Sequence, residues 1–533
     1  MRRHITAAAL ATATGLASFL AVSAGPGAAT AATEIDYVVV AEDGVTPAAA
    51  IAAIQGAGGS VVARNDAAGM YTVRSTRTDF KIAATADAKL IGVTQKKALG
   101  HSPVAPKLER PLAGPTGSNR KNAGVKADPL DDKLWGLKMI HADQAHAIEK
   151  GDRGITVGVL DTGLDASNPD LAPHFSQRLS RNFAPDMTDV DGPCEVASCL
   201  DPVGTDDGGH GTHVAGTIGA ASNGVGVTGV APNVTLVELK GGQDSGYFFL
   251  EPVVNALVYA GDAGLDVVNM SFYVDPWLYN CRNNPADSPE QQAEQRAIIA
   301  GMRRALNYAH NNGVTLVGAL GNANQDLGKP PVDNSSPDYP DGAAYPRTID
   351  NDTCFDLPVE GPHVIGVSAV GPSGNRSYYS NYGVEQISVA APGGATTDGT
   401  SVSITNAILS TYPLKVLQAS GRVDANGEIN PTYADRVFKS CTTAGVCGYY
   451  TYLQGTSMAS PHAAGVAALI ASRFGEFDRE HGGKTMKPNA VERKLINTAT
   501  ERACPAATPT CEGTQEFNGF YGNGIVDAYK AVR

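Results

Sequence analysis

The stretch Ile155-Thr156-Val157-Gly158-Val159-Leu160-Asp161-Thr162-Gly163 is an apolar run that ends in a carboxylate followed by a glycine. Similar apolar runs recur along the chain and predict further strands at residues 236–239, 267–270, 314–319, 364–367 and 386–391. Helical patterns lie between several of them, at residues 250–263 and 290–311. Apolar strands that alternate with helices predict a doubly wound, mostly parallel α/β sheet covered on both faces. Ligands of such sheets bind at the carboxyl ends of the strands, which is where Asp161 falls.

The N-terminal residues have the pattern of a secretory signal. Arg2 and Arg3 precede an apolar, Ala-rich stretch over residues 5–22, and Ala29-Thr30-Ala31 forms a small-residue cleavage site. Residues 1–32 are therefore predicted to be a signal peptide, and the mature protein to be extracellular and free of the membrane. A membrane anchor is the competing interpretation, which the interrupting small residues and the cleavage site disfavour.

Two regions precede the large domain, which is predicted to span residues 128–533. Residues 33–100 show a β-α-β-β-α-β order, which predicts a small α+β domain of the ferredoxin-like kind. Residues 101–127 are rich in Pro, Gly, Lys and Asn and are interpreted as an exposed linker that contains a processing site. Within the large domain, the polar stretches 324–362 and 396–447 are expected to be surface insertions.

Charge divides the chain into two parts. Residues 1–127 carry 14 basic and 8 acidic residues, hence +6, while the remainder carries 27 and 46, hence −19. The acidic larger part argues against a nucleic acid partner. The opposite signs favour attraction between the two parts.

Eight cysteines in an exported chain predict disulfide bonds. Short loops favour Cys194–Cys199, Cys441–Cys447 and Cys504–Cys511, and Cys281–Cys354 is then left, although sequence alone does not settle the pairing. No Cys-x-x-Cys pair occurs, which disfavours a zinc cluster.

Two further motifs carry residues suited to nucleophilic catalysis. Gly209-His210-Gly211-Thr212-His213 places histidines at the start of a small-residue helix, and the Glu of the His-Glu-x-x-His zinc motif is absent. We interpret His210 as a base and His213 as structural. Gly455-Thr456-Ser457-Met458-Ala459 places a serine at a helix start, where an N-cap is the alternative to a nucleophile.

Taken together, the motifs around Asp161, His210 and Ser457 resemble those of the subtilisin-like serine peptidases, and their order along the chain is the same. The resemblance runs from about Asp128 to residues 522–528. It implies a secreted serine endopeptidase in which these three residues form the catalytic triad. It also implies that Asn322, in Ala319-Leu320-Gly321-Asn322, supplies an oxyanion donor.

The same resemblance implies two segments that pair with substrate as added strands. They contain Ser245 and Gly246 in one case, and Ser271, Phe272 and Tyr273 in the other. Tyr273 stands where the family has Gly, and Leu320 stands on the opposite pocket wall where a small residue is usual. Both substitutions are expected to narrow or reshape the specificity pocket.

A structural calcium ion is also implied by the resemblance, and no organic cofactor is expected. Matching ligand positions are Asp128, Asp170, Ala221, Asn223, Val225 and Val227. Their hard oxygen atoms suit Ca²⁺. The alternative is an acidic loop without an ion.

The resemblance further implies that residues 33–100 are an inhibitory propeptide that is cut off after folding. The expected partners are then protein and peptide substrates and the protein's own propeptide, and the expected state is a monomer. An unrelated accessory domain is the alternative for this region.

Three other functions compete with this interpretation. An aspartic peptidase would use Asp161-Thr162-Gly163 and Asp244-Ser245-Gly246, but the segment before Asp244 is polar and the His and Ser motifs would stay unexplained. A non-catalytic binding protein is disfavoured because every triad position is filled. A specialised processing or tripeptide-releasing peptidase of the same family remains open.

Overall fold

The computed structural model describes residues 33–95, 127–330, 332–340, 342–506 and 508–533. The predicted signal peptide and nearly all of the predicted linker lie outside these ranges. The first described unit consists of β1 (Ile35–Ala41), α1 (Pro47–Gly56), β2 (Ser60–Asn65), β3 (Met70–Ser75), α2 (Phe80–Thr85) and β4 (Leu90–Gln95). Thr46 caps α1 by accepting a hydrogen bond from the Ala49 amide, and Pro47 occupies the first turn.

This N-terminal unit has the predicted α+β architecture. Its four strands form one antiparallel sheet in the order β2-β3-β1-β4. The second helix, α2, is short, because a turn follows Ala86 and leads directly into β4.

The first half of the large unit alternates helices with long strands. Its elements are α3 (Trp135–Met139), α4 (Ala142–Ala145), β5 (Thr156–Asp161), β6 (Arg181–Asn182), α5 (His210–Gly219), β7 (Thr235–Lys240), α6 (Leu250–Asp262), β8 (Val267–Met270), β9 (Asn280–Cys281), α7 (Pro289–Asn311) and β10 (Thr315–Ala319).

The second half adds the remaining sheet strands, several short hairpins and the longest C-terminal helix. Its elements are β11 (Val332–Asp333), β12 (Arg347–Thr348), β13 (Cys354–Phe355), β14 (Val364–Val370), β15 (Val389–Pro392), β16 (Thr397–Asp398), β17 (Ser401–Val402), β18 (Ile408–Tyr412), α8 (Leu414–Ala419), β19 (Val437–Cys441), β20 (Cys447–Leu453), α9 (Thr456–Phe474), β21 (Glu476–Phe477), β22 (Lys484–Thr485), α10 (Pro488–Thr498) and α11 (Ala528–Ala531).

The central sheet is parallel throughout. Its seven strands follow the order β15-β14-β10-β8-β5-β7-β6, so the chain winds outward from β5 in both directions. Helices α5 and α9 pack on one face with Val157 and Val159, and α6 and α7 pack on the other with Leu160. The doubly wound α/β fold predicted from the sequence is confirmed, with β6 as a short additional strand.

The segment 396–447 is more than a surface insertion. Its strands β18 and β19 join β20 in a three-stranded antiparallel sheet, and β18 is buried along its whole length. The Ser410 hydroxyl donates to the His213 carbonyl, and the Thr411 hydroxyl donates to the Thr212 carbonyl. The insertion therefore supports the outer side of α5.

The segment 324–362 is anchored by a buried ion-pair network. The Arg347 guanidinium, fully buried, contacts the carboxylates of Asp287 at 2.9 Å and Asp333 at 3.1 Å. It also lies over the Trp277 ring, 4.6 Å from the centroid. This bidentate cation holds β11 and β12 against the start of α7.

The N-terminal unit packs through its sheet against α6 and α7. Val38, Val40 and Met70 share one apolar cluster with residues of both helices. Arg304 of α7 donates to the Asp43 carboxylate at 2.6 Å and to two backbone carbonyls of the small unit. Gly92 lies so close to α7 that an added Cβ would be 2.1 Å from the Ala293 carbonyl oxygen, which only glycine permits.

All four predicted disulfide bonds are present: Cys194–Cys199, Cys281–Cys354, Cys441–Cys447 and Cys504–Cys511. Within the described residues, none of the helices combines the length and the apolar character that a membrane span requires.

Candidate active site

Asp161 and His210 meet at the carboxyl end of β5. Asp161 is the last residue of that strand and is fully buried, and His210 is the first residue of α5. The His210 Nδ1 atom lies 2.7 Å from Asp161 Oδ1, which also accepts the Thr162 amide at 2.8 Å. The imidazole is only partly buried, with 31% of the side chain exposed.

The charge of Asp161 controls the protonation of His210. Burial by itself lowers the pKa of the imidazole. The negative charge of Asp161 and the hydrogen bond to it act in the opposite direction and are stronger, so the pKa of His210 is raised. The pair is thus arranged to stabilise a proton on the ring once the ring has accepted one.

Asp206 holds the start of α5 in place, a role that the sequence motifs did not reveal. Its Oδ1 accepts the Gly209 amide at 2.7 Å and the Thr162 hydroxyl at 2.9 Å. Its Oδ2 accepts the Thr212 amide at 2.9 Å and the Thr212 hydroxyl at 2.6 Å. This carboxylate caps the helix and links it to the loop after β5. In the sequence, Asp206 stands four residues before His210, in Asp206-Asp207-Gly208-Gly209.

Gly209 completes this helix start because of its unusual backbone. Its φ is +87°, and an added Cβ would lie 2.6 Å from the Tyr412 ring. A side chain at this position would therefore meet both backbone strain and the wall formed by β18.

His213 lies on the buried side of α5 and does not pair with His210 in a metal site. Its Nε2 is 3.1 Å from the Ile408 carbonyl oxygen and 3.2 Å from that of Thr451. Complete burial, followed by the nearby His210, lowers the pKa of His213 to about 3. The ring is therefore a neutral structural donor that joins α5 to β18 and β20.

Ser457 is the second residue of α9 and is half-buried. Its hydroxyl donates to the Ser271 carbonyl at 3.2 Å. The Ser271 hydroxyl in turn contacts the Ser457 carbonyl and the Ser460 hydroxyl. Among the described residues no hydrogen bond joins Ser457 to His210, and such catalytic bonds often tighten only when substrate binds.

Sheet register brings Ser457 to the edge that holds Asp161. Strands β5 and β8 are neighbours, with Leu160 opposite Met270. The next residues, Asp161 and Ser271, therefore emerge side by side from strands about 4.8 Å apart. Since Ser457 bonds to Ser271, all three motifs converge on the carboxyl end of the sheet.

Asn322 follows β10, the next strand along, and its amide orientation is determined by Thr456. The Asn322 Oδ1 atom accepts the Thr456 amide at 2.9 Å and the Thr456 hydroxyl at 3.0 Å. A backbone amide can only donate, so the oxygen must face Thr456. The Nδ2 group therefore takes no part in the contact with Thr456, and the residue is exposed.

The first predicted substrate segment is tied to an upstream loop. Both the Ser245 amide and its hydroxyl donate to Asp191 Oδ1, at 3.0 and 2.9 Å. Gly246 is exposed and adopts a φ of +92°. Asp191, which was not singled out in the sequence, thus positions this edge.

The second predicted substrate segment is packed by aromatic contacts. Phe272 stacks on Phe248 with a centroid distance of 4.1 Å. Tyr273 donates its hydroxyl to Asp338 Oδ2 at 2.6 Å, which holds the ring in one position. Leu320 is fully buried in an apolar cluster with Leu327 and Ile387, so its side chain does not face solvent.

The predicted calcium ligands lie in loops joined by hydrogen bonds, since Asp128 accepts the Asn223 amide and Asp170 accepts the Val227 amide; we call this group the cradle. Within the described part of the chain, Asp170 Oδ1 is buried without a hydrogen-bond partner, while its Oδ2 accepts the Val227 amide and the Tyr450 hydroxyl. Burial raises the pKa of Asp170 to about 7. Among described residues, no donor reaches the carbonyl oxygens of Ala221, Val225 or Val227.

Two other residues of this set already have hydrogen-bond partners. The Asp128 carboxylate accepts the amides of Asn223 and Gly224 and the hydroxyl of Thr228. The Asn223 side chain bridges the Val225 amide and the Pro169 carbonyl. The donor set therefore fits a hard cation mainly through Asp170 and the three carbonyl oxygens.

The arrangement excludes the aspartic peptidase interpretation. That class needs two carboxylates sharing a proton. Asp161 instead pairs with His210, and the Asp244 Oδ1 atom receives the Lys240 ammonium at 2.5 Å.

Comparison with known proteins agrees with this geometry. The model of the subtilase family matches residues 152–524, which is most of the chain. The chain belongs to the subtilase family. It is 29% identical to subtilisin DY of Bacillus licheniformis over 399 residues, which cover 75% of this chain and 98% of that protein.

Solved structures support the fold. The epidermin leader peptide processing serine protease of Staphylococcus aureus aligns with a TM-score of 0.62 at 19% identity, covering 94% of this chain and 98% of that one. A lanthipeptide protease aligns with a TM-score of 0.51 at 25% identity, covering 75% and 93%. The protein is accordingly a serine endopeptidase that hydrolyses peptide bonds in proteins or peptides, and its family needs no organic cofactor.

Replacing Asp206 by Asn tests the support of α5. The substitution puts an amide donor opposite amide or hydroxyl donors, so we expect the free energy of unfolding to fall by about 2–4 kcal/mol. Asp435→Asn is the control, because the exposed Asp435 forms a surface ion pair with Arg436 and its replacement should cost under about 1 kcal/mol. Urea unfolding of fluorophosphonate-inhibited protein measures both values. Equal effects of the two substitutions would contradict the capping role.

Proposed function

We propose that Asp161, His210 and Ser457 are the catalytic triad of this serine endopeptidase. The observation that carries the proposal is the 2.7 Å contact between His210 and the buried Asp161, at the sheet edge where Ser271 holds Ser457. A hydroxyl is too weak a nucleophile without an adjacent base. The geometry supplies that base and a carboxylate to orient it.

In the proposed reaction, His210 Nε2 takes the Ser457 proton as the hydroxyl oxygen attacks the scissile carbonyl carbon. Asp161 keeps the proton of the neutral ring on Nδ1 and stabilises the imidazolium that forms. His210 then protonates the leaving amine, and an acyl-enzyme remains on Ser457. Water, activated by the same ring, hydrolyses the ester and restores the serine.

The oxyanion of the tetrahedral intermediate requires preorganised donors. We assign these to the Asn322 Nδ2 group and to the backbone amide of Ser457 at the start of α9. Thr456 holds the Asn322 oxygen, so the amide donors do not have to reorganise during the reaction. The 19-residue helix also contributes the positive end of its dipole.

The substrate peptide is proposed to lie between the segments containing Ser245 and Gly246 and Ser271, Phe272 and Tyr273. We expect Tyr273 to narrow the pocket, and its hydroxyl is held by Asp338. Leu320 is buried in an apolar cluster, so we assign it no direct contact with substrate. A calcium ion, where bound at the cradle of Asp170, would stabilise the loop at residues 221–227.

We also propose that the enzyme is secreted as a precursor in which residues 33–100 inhibit the large domain. The packing of the small sheet on α6 and α7, with Arg304 bound to Asp43, supports this proposal. The basic N-terminal signal pattern supports export. Cleavage within residues 101–127 would release the mature enzyme.

A narrower function is the second candidate. The solved structures that align with this chain include a lanthipeptide protease and a protease that processes the epidermin leader peptide. Tyr273, which restricts the proposed pocket, favours selective cleavage of this kind. General and selective cleavage differ in the products that they leave from an unfolded protein.

The pH dependence of hydrolysis tests the role of His210 as the base. His210 must be neutral to act as a base, and Asp161 raises its pKa, so kcat/KM should fall with decreasing pH through a pKa above the ordinary value of about 6.5. In Asp161→Asn the raising charge is gone and burial dominates, so this limb should move to lower pH. We also expect kcat to fall by about 10⁴-fold. A pH–rate profile of each enzyme gives both quantities, and an unmoved limb would argue against His210 as the base.

Substitution of Asn322 tests its role as an oxyanion donor. Replacing it by Ala removes one oxyanion donor, so kcat should fall by roughly 10²–10³-fold with little change in KM. Asn322→Asp, of the same shape but without the amide donors, should be impaired at least as much. Steady-state kinetics with a peptide substrate would contradict the assignment if the loss appeared in KM alone.

Substitution of Ser457 tests its role as the nucleophile. Ser457→Ala should abolish casein hydrolysis, while the wild type should release peptides from internal cuts. The control is Ser472→Ala, since that hydroxyl lies farther along α9 and is buried without a hydrogen-bond partner among the residues that the structure describes. Mass spectrometry of the products separates the candidates: many internal cuts support a general endopeptidase, and one or two cuts support a selective one.

Protein secreted by cells that express the same variants shows whether the enzyme removes residues 33–100 from its own precursor. N-terminal sequencing and intact mass should show residues 33–100 retained in Ser457→Ala and removed in wild type and Ser472→Ala. Identical processing of all three would refute self-cleavage.

A further inference from the structure

The loop between β6 and α5 gathers three carboxylates that the peptidase mechanism does not use. Asp186, Glu195 and Asp201 each place one oxygen within 4.8 Å of those of the other two. The Cys194–Cys199 disulfide closes a short ring around Glu195. The Asp186 amide donates to the Cys199 carbonyl at 2.7 Å, which holds this ring over Asp186.

Asp186 is the unusual member of this cluster. Only 8% of the residue is exposed, and both carboxylate oxygens are buried without a hydrogen-bond partner among the described residues. An ionised carboxylate in such surroundings costs several kcal/mol unless a cation or donors compensate it. Burial, followed by the charges of Asp201 and Asp244, raises the pKa of Asp186 to about 7.

The nearest protein cation does not meet this need. The Lys240 ammonium is 3.7 Å from Asp201 Oδ2. It is 2.5 Å from Asp244 Oδ1 and 2.7 Å from the Thr162 carbonyl oxygen, so its hydrogen bonds are directed there. Within the described ranges, the Asp186 carboxylate therefore has no hydrogen-bond donor.

We propose that Asp186, Glu195 and Asp201 bind a calcium ion. Calcium takes oxygen ligands at about 2.3–2.6 Å, so two ligands on one ion are at most about 5 Å apart, as these oxygens are. Zinc is disfavoured because the cluster offers neither imidazole nor thiolate, both nearby cysteines being oxidised.

This site is separate from the cradle of Asp170. That cradle is formed by residues 168–170 and the loop 221–227, whereas the new site lies wholly between β6 and α5. Each site has a buried carboxylate oxygen of its own without a partner, Asp170 Oδ1 in one and both oxygens of Asp186 in the other. The chain therefore has two independent places for calcium.

The position of the site connects the ion to substrate binding. The same loop carries Asp191, which holds the amide and hydroxyl of Ser245 in the proposed substrate segment. It also carries Asp206, which caps the helix of His210. An ion between residues 186 and 201 would fix the loop on which both contacts depend.

Calcium binding by the full chain tests the proposal. The parent is Ser457→Ala, which prevents self-digestion, and all proteins are first stripped with a chelator. Equilibrium dialysis with radioactive calcium should show one ion fewer bound to Asp186→Asn than to the parent. The rise in Tm on adding calcium should also be smaller in Asp186→Asn, although without calcium this variant should be no less stable, because a buried uncompensated charge is removed.

Three further variants make the result specific. Glu195→Gln changes an exposed side chain, so it tests the site even if Asp186→Asn does not fold, and it should weaken the same ion by at least tenfold in Kd. Glu476→Gln removes an exposed carboxylate elsewhere and should bind calcium as the parent does. Asp170→Asn should affect a different ion, so its effect should add to that of Glu195→Gln.

Unchanged stoichiometry, affinity and calcium-dependent Tm in both Asp186→Asn and Glu195→Gln would overturn the proposal. The cluster would then be a group of carboxyls that share protons. Loss of calcium in Asp170→Asn alone would assign all binding to the cradle and would likewise contradict a second site.

Discussion

The hydrogen bond between Asp161 and His210 joins the end of the central strand to the start of the helix that covers it. It forms only because β5 delivers a carboxylate to the sheet edge, where α5 begins with an imidazole. Burial of Asp161 removes competing water, so one contact of 2.7 Å both orients the ring and raises its pKa. Much of the surrounding structure serves to keep these two atoms together.

Parallel strands supply the geometry of the rest of the site. In such a sheet all carboxyl ends lie on one edge, so residues that follow β5, β8 and β10 come together although they are far apart in the chain. Ser271 follows β8 and contacts Ser457, and Asn322 follows β10 and contacts Thr456. Helix α9 packs on one face of the sheet and begins at this edge, so its second residue, Ser457, lies beside Ser271.

Carboxylates organise the loops around the site. Asp206 uses both oxygens to cap α5, and Asp191 holds Ser245, so each has its charge spread over backbone and hydroxyl donors. Among the described residues, Asp186 has no such donors and instead faces two more carboxylates. A buried carboxylate without donors must either bind a cation or take up a proton, and this difference separates Asp186 from Asp206 and Asp191.

Local patterns in the sequence predicted the long strands of the central sheet, the helices that cover it, the order of elements in the small domain and the three motifs, because each depends on residues close together in the chain. Short loops favoured three of the disulfide bonds, while Cys281–Cys354, 73 residues apart, followed only by elimination. Tertiary structure alone decided how distant residues meet. It buried Leu320, made β18 a support for α5, held the Asn322 side-chain oxygen on Thr456, and brought Asp186, Glu195 and Asp201 together. Periodicity encodes which face of an element is apolar, but these contacts depend on packing between elements, which no local pattern specifies. Asp161, His210 and Ser457 were recognisable from their motifs, whereas the contacts that hold them in place became visible only in the fold.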